Sequence, residues 1–251
     1  MNLSGRVAVV TGGSRGIGRA TVLRFAEMGA QVVVNYLRDE EAAAETVREA
    51  LDRGAEALAV RADVSSTAEA QRLIAACLER FQRLDFLICN AGIWEGAALE
   101  EMSQEQWERG LKVNLQGTWA VCRAAIGPIR RQGGGRIVIV SSTAGQQGEP
   151  FYSGYAAAKG GQIAFAKSLA VELAKDQINV NAVAPGWVLT EMTEAVFRDE
   201  ERRRSIEQEI PLGRVATPDD VARPILFLCS DWARHITGEV LNINGGTLLC
   251  G

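Results

Sequence analysis

The chain of 251 residues has a single histidine, His235, and five cysteines, Cys77, Cys89, Cys122, Cys229 and Cys250, with no C-x-x-C pair among them. One histidine without a cysteine cluster excludes the common zinc arrangements, so no metal centre is expected. Cysteines so widely scattered do not make a disulfide frame. They read as free thiols of a reducing compartment, which points to the cytoplasm. No apolar run approaches the roughly 18 residues of a membrane span. The opening "MNLSGRVAVVTGG" lacks the basic start, long apolar run and cleavage site of a signal peptide. The net charge is -4 and no basic block occurs, which makes nucleic acid and anionic membranes poor partners. Arg202, Arg203 and Arg204 lie among Asp199, Glu200, Glu201, Glu207 and Glu209, as on a solvated helix face.

What the chain does contain is an alternation of short apolar runs with long helical patterns. "RVAVVT", "QVVVNY", "EALAVRADV", "LDFLICNAG", "GRIVIVSS", "QINVNAVAPG" and "GEVLNINGG" read as seven strands. Unbroken apolar strands imply burial on both faces, and strand–helix alternation implies a parallel sheet with helices on each side. Helices are expected over about 39–53 and 68–81, with two longer ones over 103–132 and 153–175. No linker, repeat or shift in composition divides residues 1–251, so one α/β domain with a doubly wound, seven-stranded parallel sheet is predicted.

Between the first strand and first helix comes "TGGSRGIGRA". Gly12, Gly16 and Gly18 stand where a strand turns tightly into a helix, and Ser14, Arg15 and Ile17 fill the turn. Such a turn brings backbone N–H groups close to a pyrophosphate. Its G-x-x-x-G-x-G spacing differs from G-x-G-x-x-G, and no Lys-Ser/Thr follows to make a P-loop. The end of the second strand selects the nucleotide. Asn35 stands at the expected selecting position with Arg38 three residues on, and Arg15 is a second cation. The arginines favour NADP(H) over NAD(H); Asp39 counts against that reading unless it serves as the cap of the next helix. Asp63 and Val64 end the third strand where an adenine would lie. Asn90, Ala91 and Gly92 end the fourth, beside a ribose.

In "GYAAAKGGQ", Tyr155 and Lys159 are four residues apart, on one face of a helix that the alanines favour. Ser141 and Ser142 end the fifth strand, and Asn114 is a polar residue among apolar neighbours in a helical stretch. With "TGGSRGIG", "NAG", Asn114, Ser142, "YAAAK" and "PGWVLT" in this order, the chain resembles the short-chain dehydrogenase/reductase family over essentially its whole length. The resemblance implies a Rossmann-type fold and a catalytic tetrad of Asn114, Ser142, Tyr155 and Lys159. Tyr155 would exchange the proton, its pKa lowered by the Lys159 ammonium. Lys159 would hold the nicotinamide ribose, Ser142 the substrate oxygen, and Asn114 a water leading to Lys159. Tyr155 and Lys159 would thus both touch the cofactor. Pro185, Gly186, Val188 and Thr190 would line the nucleotide too, with Thr190 at the carboxamide. A lid over about 187–215 would close on the substrate. Trp94 and Trp187 follow strand ends and would line the substrate site with Ser142 and Tyr155. The other tryptophans, Trp107, Trp119 and Trp232, read as core or interface, and His235 as structural.

The most similar members of the family are the 3-oxoacyl-[acyl-carrier-protein] reductases, which implies an acyl-thioester substrate and an acyl carrier protein as partner. Gly133 and Asp176 replace the two arginines that dock that partner, with Arg130, Arg131 and Lys175 nearby. Small-molecule substrates such as sugars, polyols or cyclic alcohols are the alternative, and a catalytically idle nucleotide-binding scaffold is the second. The helices over 103–132 and 153–175 are apolar on more than one face. The resemblance implies that they pair in a homotetramer, with "NINGGTLLCG" at another interface.

Overall fold

A computed structural model describes residues 1–249; Cys250 lies outside the described residues. Strands β1 (Val7–Val10), β2 (Gln31–Tyr36), β3 (Ala57–Arg61), β4 (Phe86–Cys89), β5 (Gly135–Val140), β6 (Ile178–Pro185) and β7 (Val240–Ile243) form one sheet. Their order is β3-β2-β1-β4-β5-β6-β7, and every pairing is parallel. The helices are α1 (Gly16–Glu27), α2 (Glu40–Asp52), α3 (Thr67–Phe81), α4 (Gln104–Leu111) and α5 (Gly117–Arg131) in the first half. Then follow α6 (Ala144–Gln147), α7 (Ser153–Leu173), α8 (Glu194–Phe197), α9 (Glu200–Glu209) and α10 (Pro218–Leu228). No helix among the described residues is long and apolar enough to cross a membrane.

The unbroken apolar strands are buried on both faces because successive side chains point to opposite sides. Val7 and Val9 of β1 pack with Leu73, Val121 and Leu169 of α3, α5 and α7. Ala8 and Val10 pack with Val22, Phe25 and Ile225 of α1 and α10. β5 divides in the same way, Ile137 and Ile139 on one face, Val138 on the other. Aliphatic side chains fill most of both layers, with Phe25, Tyr36 and Phe86 as the buried aromatics of one of them. None of the five tryptophans is buried, and Trp107, Trp119 and Trp232 are exposed, which corrects a core role for them. His235 is likewise exposed. Arg203 and Arg204 pair with Glu207 and Glu200 along α9, as a solvated face requires.

Two elements depart from expectation. The helix predicted over 103–132 is interrupted by a π-helical segment at Lys112–Gln116, which carries Asn114. The excursion over 187–215 has a small core of its own, in which Ile206, Ile210 and Val215 pack with Trp187, Leu189, Val196 and Phe197. Its two ends are tied by hydrogen bonds between Leu189 and Ala216 and between Ala216 and Trp187. Strand order reverses between β1 and β4, and the crevice beyond their C-terminal ends is where such sheets bind ligands.

Candidate active site

The two strand ends flanking that crevice are laced by one hydroxyl. Buried Thr11 accepts hydrogen bonds at Oγ1 from the N–H groups of Asn90 (2.9 Å) and Ala91 (3.0 Å) and donates to the Ile88 carbonyl. The Asn90 amide in turn donates to the carbonyls of Thr11 and Gly12. Gly12 and Gly16 have φ of 60° and 53°, in the left-handed region that glycine tolerates. A Cβ on Gly18 would lie 2.1 Å from the Gly12 carbonyl oxygen, so the turn closes onto α1 only with glycine there. No side chain caps the first N–H groups of α1 at Arg15. These open donors, at the positive end of a helix, fit the diphosphate of a dinucleotide.

Asn35 is buried; its Oδ1 accepts from the Gly12 N–H at 3.2 Å, and its Nδ2 donates to the carbonyls of Val60 and Ala62. It therefore pins the glycine turn to β2 and β3. Arg15 and Arg38 are exposed and join no ion pair among the described residues, unlike Arg19, Arg24, Arg48 and Arg53 around them. Asp39 caps α2, accepting from the Ala42 N–H. Asp63 accepts from the Ser65 N–H, and Val64 is buried beside Gly117.

The tetrad residues converge across β4, β5 and α7. Asn114 in the π-helical segment has a saturated amide. Its Oδ1 accepts from the Ile93 N–H at 2.9 Å, and its Nδ2 donates to the carbonyls of Ile93 and Gly110. Its carbonyl oxygen receives Gln162 Nε2 and Thr118 Oγ1, each at 2.8 Å. The side chain is thus bonded to the turn after β4 and to α4, and the carbonyl is bonded by Gln162 of α7. A Cβ on Gly92 would lie 2.6 Å from Asn114 Oδ1 and 3.7 Å from Lys159 Nζ. Lys159 is buried; its ammonium donates to the Val140 carbonyl at 2.8 Å and lies 5.6 Å from the centre of the Tyr155 ring.

That position alters the expected electrostatics. Burial pushes the Tyr155 phenol up to about 12, against a hydrogen bond with Ser142 that lowers it and together with the Glu149 charge that raises it. Burial brings Lys159 down to about 8. The protein alone therefore does not acidify the phenol. Desolvation is the largest cause, and the Lys159 ammonium lies 5.6 Å from the centre of the ring. Ser142 Oγ also accepts from the Ala144 N–H, which fixes its direction.

β6 ends at Pro185, and Gly186 donates to the Ile243 carbonyl. Val188 is buried, with its carbonyl bonded by Thr193 Oγ1. Thr190 reaches the glycine turn, since a Cβ on Gly16 would lie 3.3 Å from its Cγ2. The two tryptophans expected at the substrate site meet: Trp94 and Trp187 are T-shaped with centroids 5.7 Å apart. Trp94 stacks on Tyr152 at 4.5 Å and donates from Nε1 to Glu149 at 3.3 Å, while Phe197 closes on Trp187.

Residues 12–247 match the family model described as enoyl-(acyl carrier protein) reductase. A 3-oxoacyl-[acyl-carrier-protein] reductase of Synechocystis is 42% identical over 98% of this chain and 98% of its own. An L-rhamnose 1-dehydrogenase (NAD(P)(+)) of Sphingomonas is 39% identical over 97% of this chain and 96% of its own. A crystal structure from Sinorhizobium meliloti described as a short-chain alcohol dehydrogenase superposes with a TM-score of 0.94 at 34% identity, covering 98% of this chain and 97% of that one. The chain belongs to the short-chain dehydrogenase/reductase family. It is accordingly a nicotinamide-dependent oxidoreductase.

Within this short-chain dehydrogenase/reductase, four positions that brace or line the site escaped the sequence reading: Thr11, Glu149, Tyr152 and Gln162. Thr11 carried a signal, a hydroxyl at a strand end directly before the glycine turn. Gln162 carried another, a polar residue seven positions after Tyr155 and so on the same face of α7. Glu149 and Tyr152 lie in an irregular segment where spacing carries no directional information.

Proposed function

We propose that this short-chain dehydrogenase/reductase interconverts a carbonyl and a secondary alcohol by hydride transfer with NADP(H), and that Tyr155 exchanges the proton. The observation that carries the reading is the buried Lys159 ammonium against the Tyr155 ring, with Ser142 beside the phenol, at the sheet end that bears the glycine turn. The nicotinamide supplies or accepts the hydride when bound. Gly12, Gly16, Gly18 and the open start of α1 would hold the diphosphate, Asp63, Val64 and the 90–92 turn the adenosine side, and Thr190 the nicotinamide end. Lys159 keeps a positive charge where oxygen becomes negative, Ser142 orients the substrate oxygen, and Tyr155 delivers its proton. The unpaired Arg15 and Arg38 favour the 2′-phosphate of NADP(H). Residues 1–251 act as one nucleotide-binding and catalytic domain with 187–215 as its lid, in a cytoplasmic homotetramer.

The relatives' names support a 3-oxoacyl thioester as substrate. The carrier-protein surface is altered, because Asp176 pairs with Arg130 at 2.7 Å and leaves Arg131 and Lys175 as the nearby cations. The test is reduction of an acetoacetyl thioester by wild type and Tyr155→Phe, with NADPH and NADH compared. The expected result is faster turnover with NADPH and a loss of about 10²–10⁴ in the variant. Equal rates in the two proteins would mean an idle tetrad and a scaffold role.

A further inference from the structure

Gln162 is the only amide side chain on α7, and it is fully buried among Ala158, Lys159, Ala166 and Leu169 of the same helix. Its Nε2 donates to the Asn114 carbonyl at 2.8 Å and to Thr118 Oγ1 at 2.7 Å. Thr118 Oγ1 donates to the same carbonyl at 2.8 Å. A carbonyl oxygen only accepts and has two lone pairs, so this triangle fills it and fixes which way the amide points. Gln162 Oε1 is left buried without a partner among the described residues. An amide oxygen so placed costs stability that an aliphatic side chain of similar length would not.

The other end of the network reaches the reacting groups. The Asn114 amide holds Ile93 by its N–H at 2.9 Å and by its carbonyl at 3.1 Å. A Cβ on Gly92 would lie 2.6 Å from Asn114 Oδ1 and 3.7 Å from Lys159 Nζ, so these two side chains meet across a glycine with no room for a methyl group. The packing beside Gln162 is as close, since a Cβ on Gly161 would lie 2.8 Å from Leu115 Cδ2 in the π-helical segment. Lys159 precedes Gln162 by three residues and so shares its face of α7.

We propose that Gln162 is a positioning residue for the hydride transfer: its amide ties the Asn114 carbonyl to α7 and so sets the turn at 92–93 against Lys159. This rests on the hydride-transfer reading above. A fixed amide replaces an exchangeable water at that carbonyl, and a proton path from Lys159 does not run through it. The orphaned Oε1 is the cost of this rigidity, which a helix packed for stability alone would avoid.

The test is acetoacetyl-thioester reduction at saturating NADPH by wild type, Gln162→Met, Asn114→Ala and the double variant, with a thermal melt of each. In Gln162→Met, kcat should fall about tenfold, as a displacement of a fraction of an ångström at a reacting centre does. KM for the thioester, and the NADPH dissociation constant read from nicotinamide fluorescence, should stay within about twofold, since binding is not what Gln162 serves. Tm should stay within about 2 °C of wild type or rise, because methionine fills the space and leaves no orphaned oxygen. In the Asn114→Ala background, Gln162→Met should change kcat by less than about twofold, because the link through which it acts is gone. Thr118→Val removes the other donor from the same carbonyl; it should lower kcat about threefold, and it decides the matter if Gln162→Met does not fold. An unchanged or raised kcat in Gln162→Met would overturn the proposal, since a water at the freed acceptor site would then serve as well. So would a loss of kcat matched by a fall in Tm, or one that adds to the loss in Asn114→Ala, because either would mark packing alone. Wild-type turnover with an indifferent Gln162→Met refutes this proposal by itself. A wild type that neither reduces the thioester nor oxidises cyclohexanol refutes the hydride-transfer reading beneath it.

Discussion

An ammonium buried in a sheet-end cleft destabilises the fold unless its charge is used, and Lys159 is such a group. Its pKa falls from 10.5 to about 8 through burial. The unfolded chain therefore binds the proton more tightly, at a cost of about 3 kcal/mol to the folded state at neutral pH. The cost is fully present below pH 8 and fades as pH rises from 8 to 10.5, so this group makes stability increase across that window. Lys159→Met should consequently raise stability at pH 7 by about 2 kcal/mol, after loss of the bond to Val140. It should also flatten the pH dependence between 7 and 9.5. Urea unfolding of both proteins at the two pH values measures this, and parallel curves would show that burial does not act on Lys159 as argued. The same numbers bear on rate. Carbonyl reduction needs neutral Tyr155, which persists to about 12, and charged Lys159, which is lost above about 8. kcat/KM for reduction should fall as pH rises through 8, well before the phenol ionises.

At the level of elements, the glycine turn and α1 form a joint with almost no slack. Gly18→Ala places a methyl group 2.1 Å from a backbone oxygen and 2.7 Å from the Asn90 amide. Both groups are fixed by the bonds that join β1 to β4, so the variant should lose about 2–3 kcal/mol and most of its nucleotide affinity. Gly127→Ala in α5 is the matched control. Its Cβ would meet only Arg131 Nη1 at 3.5 Å, and alanine should stabilise the helix by about 0.5–1 kcal/mol. Thermal melts with and without NADPH measure both, and equal shifts would refute the close approach. This joint was legible in "TGGSRGIG", as were the seven apolar strands and the Tyr155–Lys159 spacing, because each is encoded by local period or by glycine. The π-helical segment was not. It depends on Asn114 bonding to Ile93, far along the chain, and on Gln162 taking the freed carbonyl. The bracing role of Asn35 was hidden for a related reason: its amide answers to Gly12, Val60 and Ala62, contacts made only once the strands are in register.

For the whole molecule, the outer faces of α5 and α7 pose the remaining question of burial. A groove of about 830 Å³ runs between them, its floor of Leu111, Leu115, Trp119 and Phe165 edged by Glu108, Lys112 and Gln116, and Val171 is exposed farther along α7. A face this apolar on a helix pair already packed against the sheet is expected to be covered. In the homotetramer proposed above a second copy of the chain would cover it, two-fold symmetry setting the same face against itself. The edge strand β7, paired only with β6 among the described residues, would offer the second surface of that tetramer. Sedimentation should therefore give four times the 27.0 kDa chain mass. Phe165→Asp places a charge in the centre of one interface and should reduce the assembly to dimers held through the other. Because α7 carries Tyr155 and Lys159 on its inner side, loss of that helix pairing should also lower kcat. A wild-type monomer, or a Phe165→Asp protein that stays tetrameric, would show that this face is covered by something else. A dimeric variant with undiminished kcat would separate assembly from the alignment of α7.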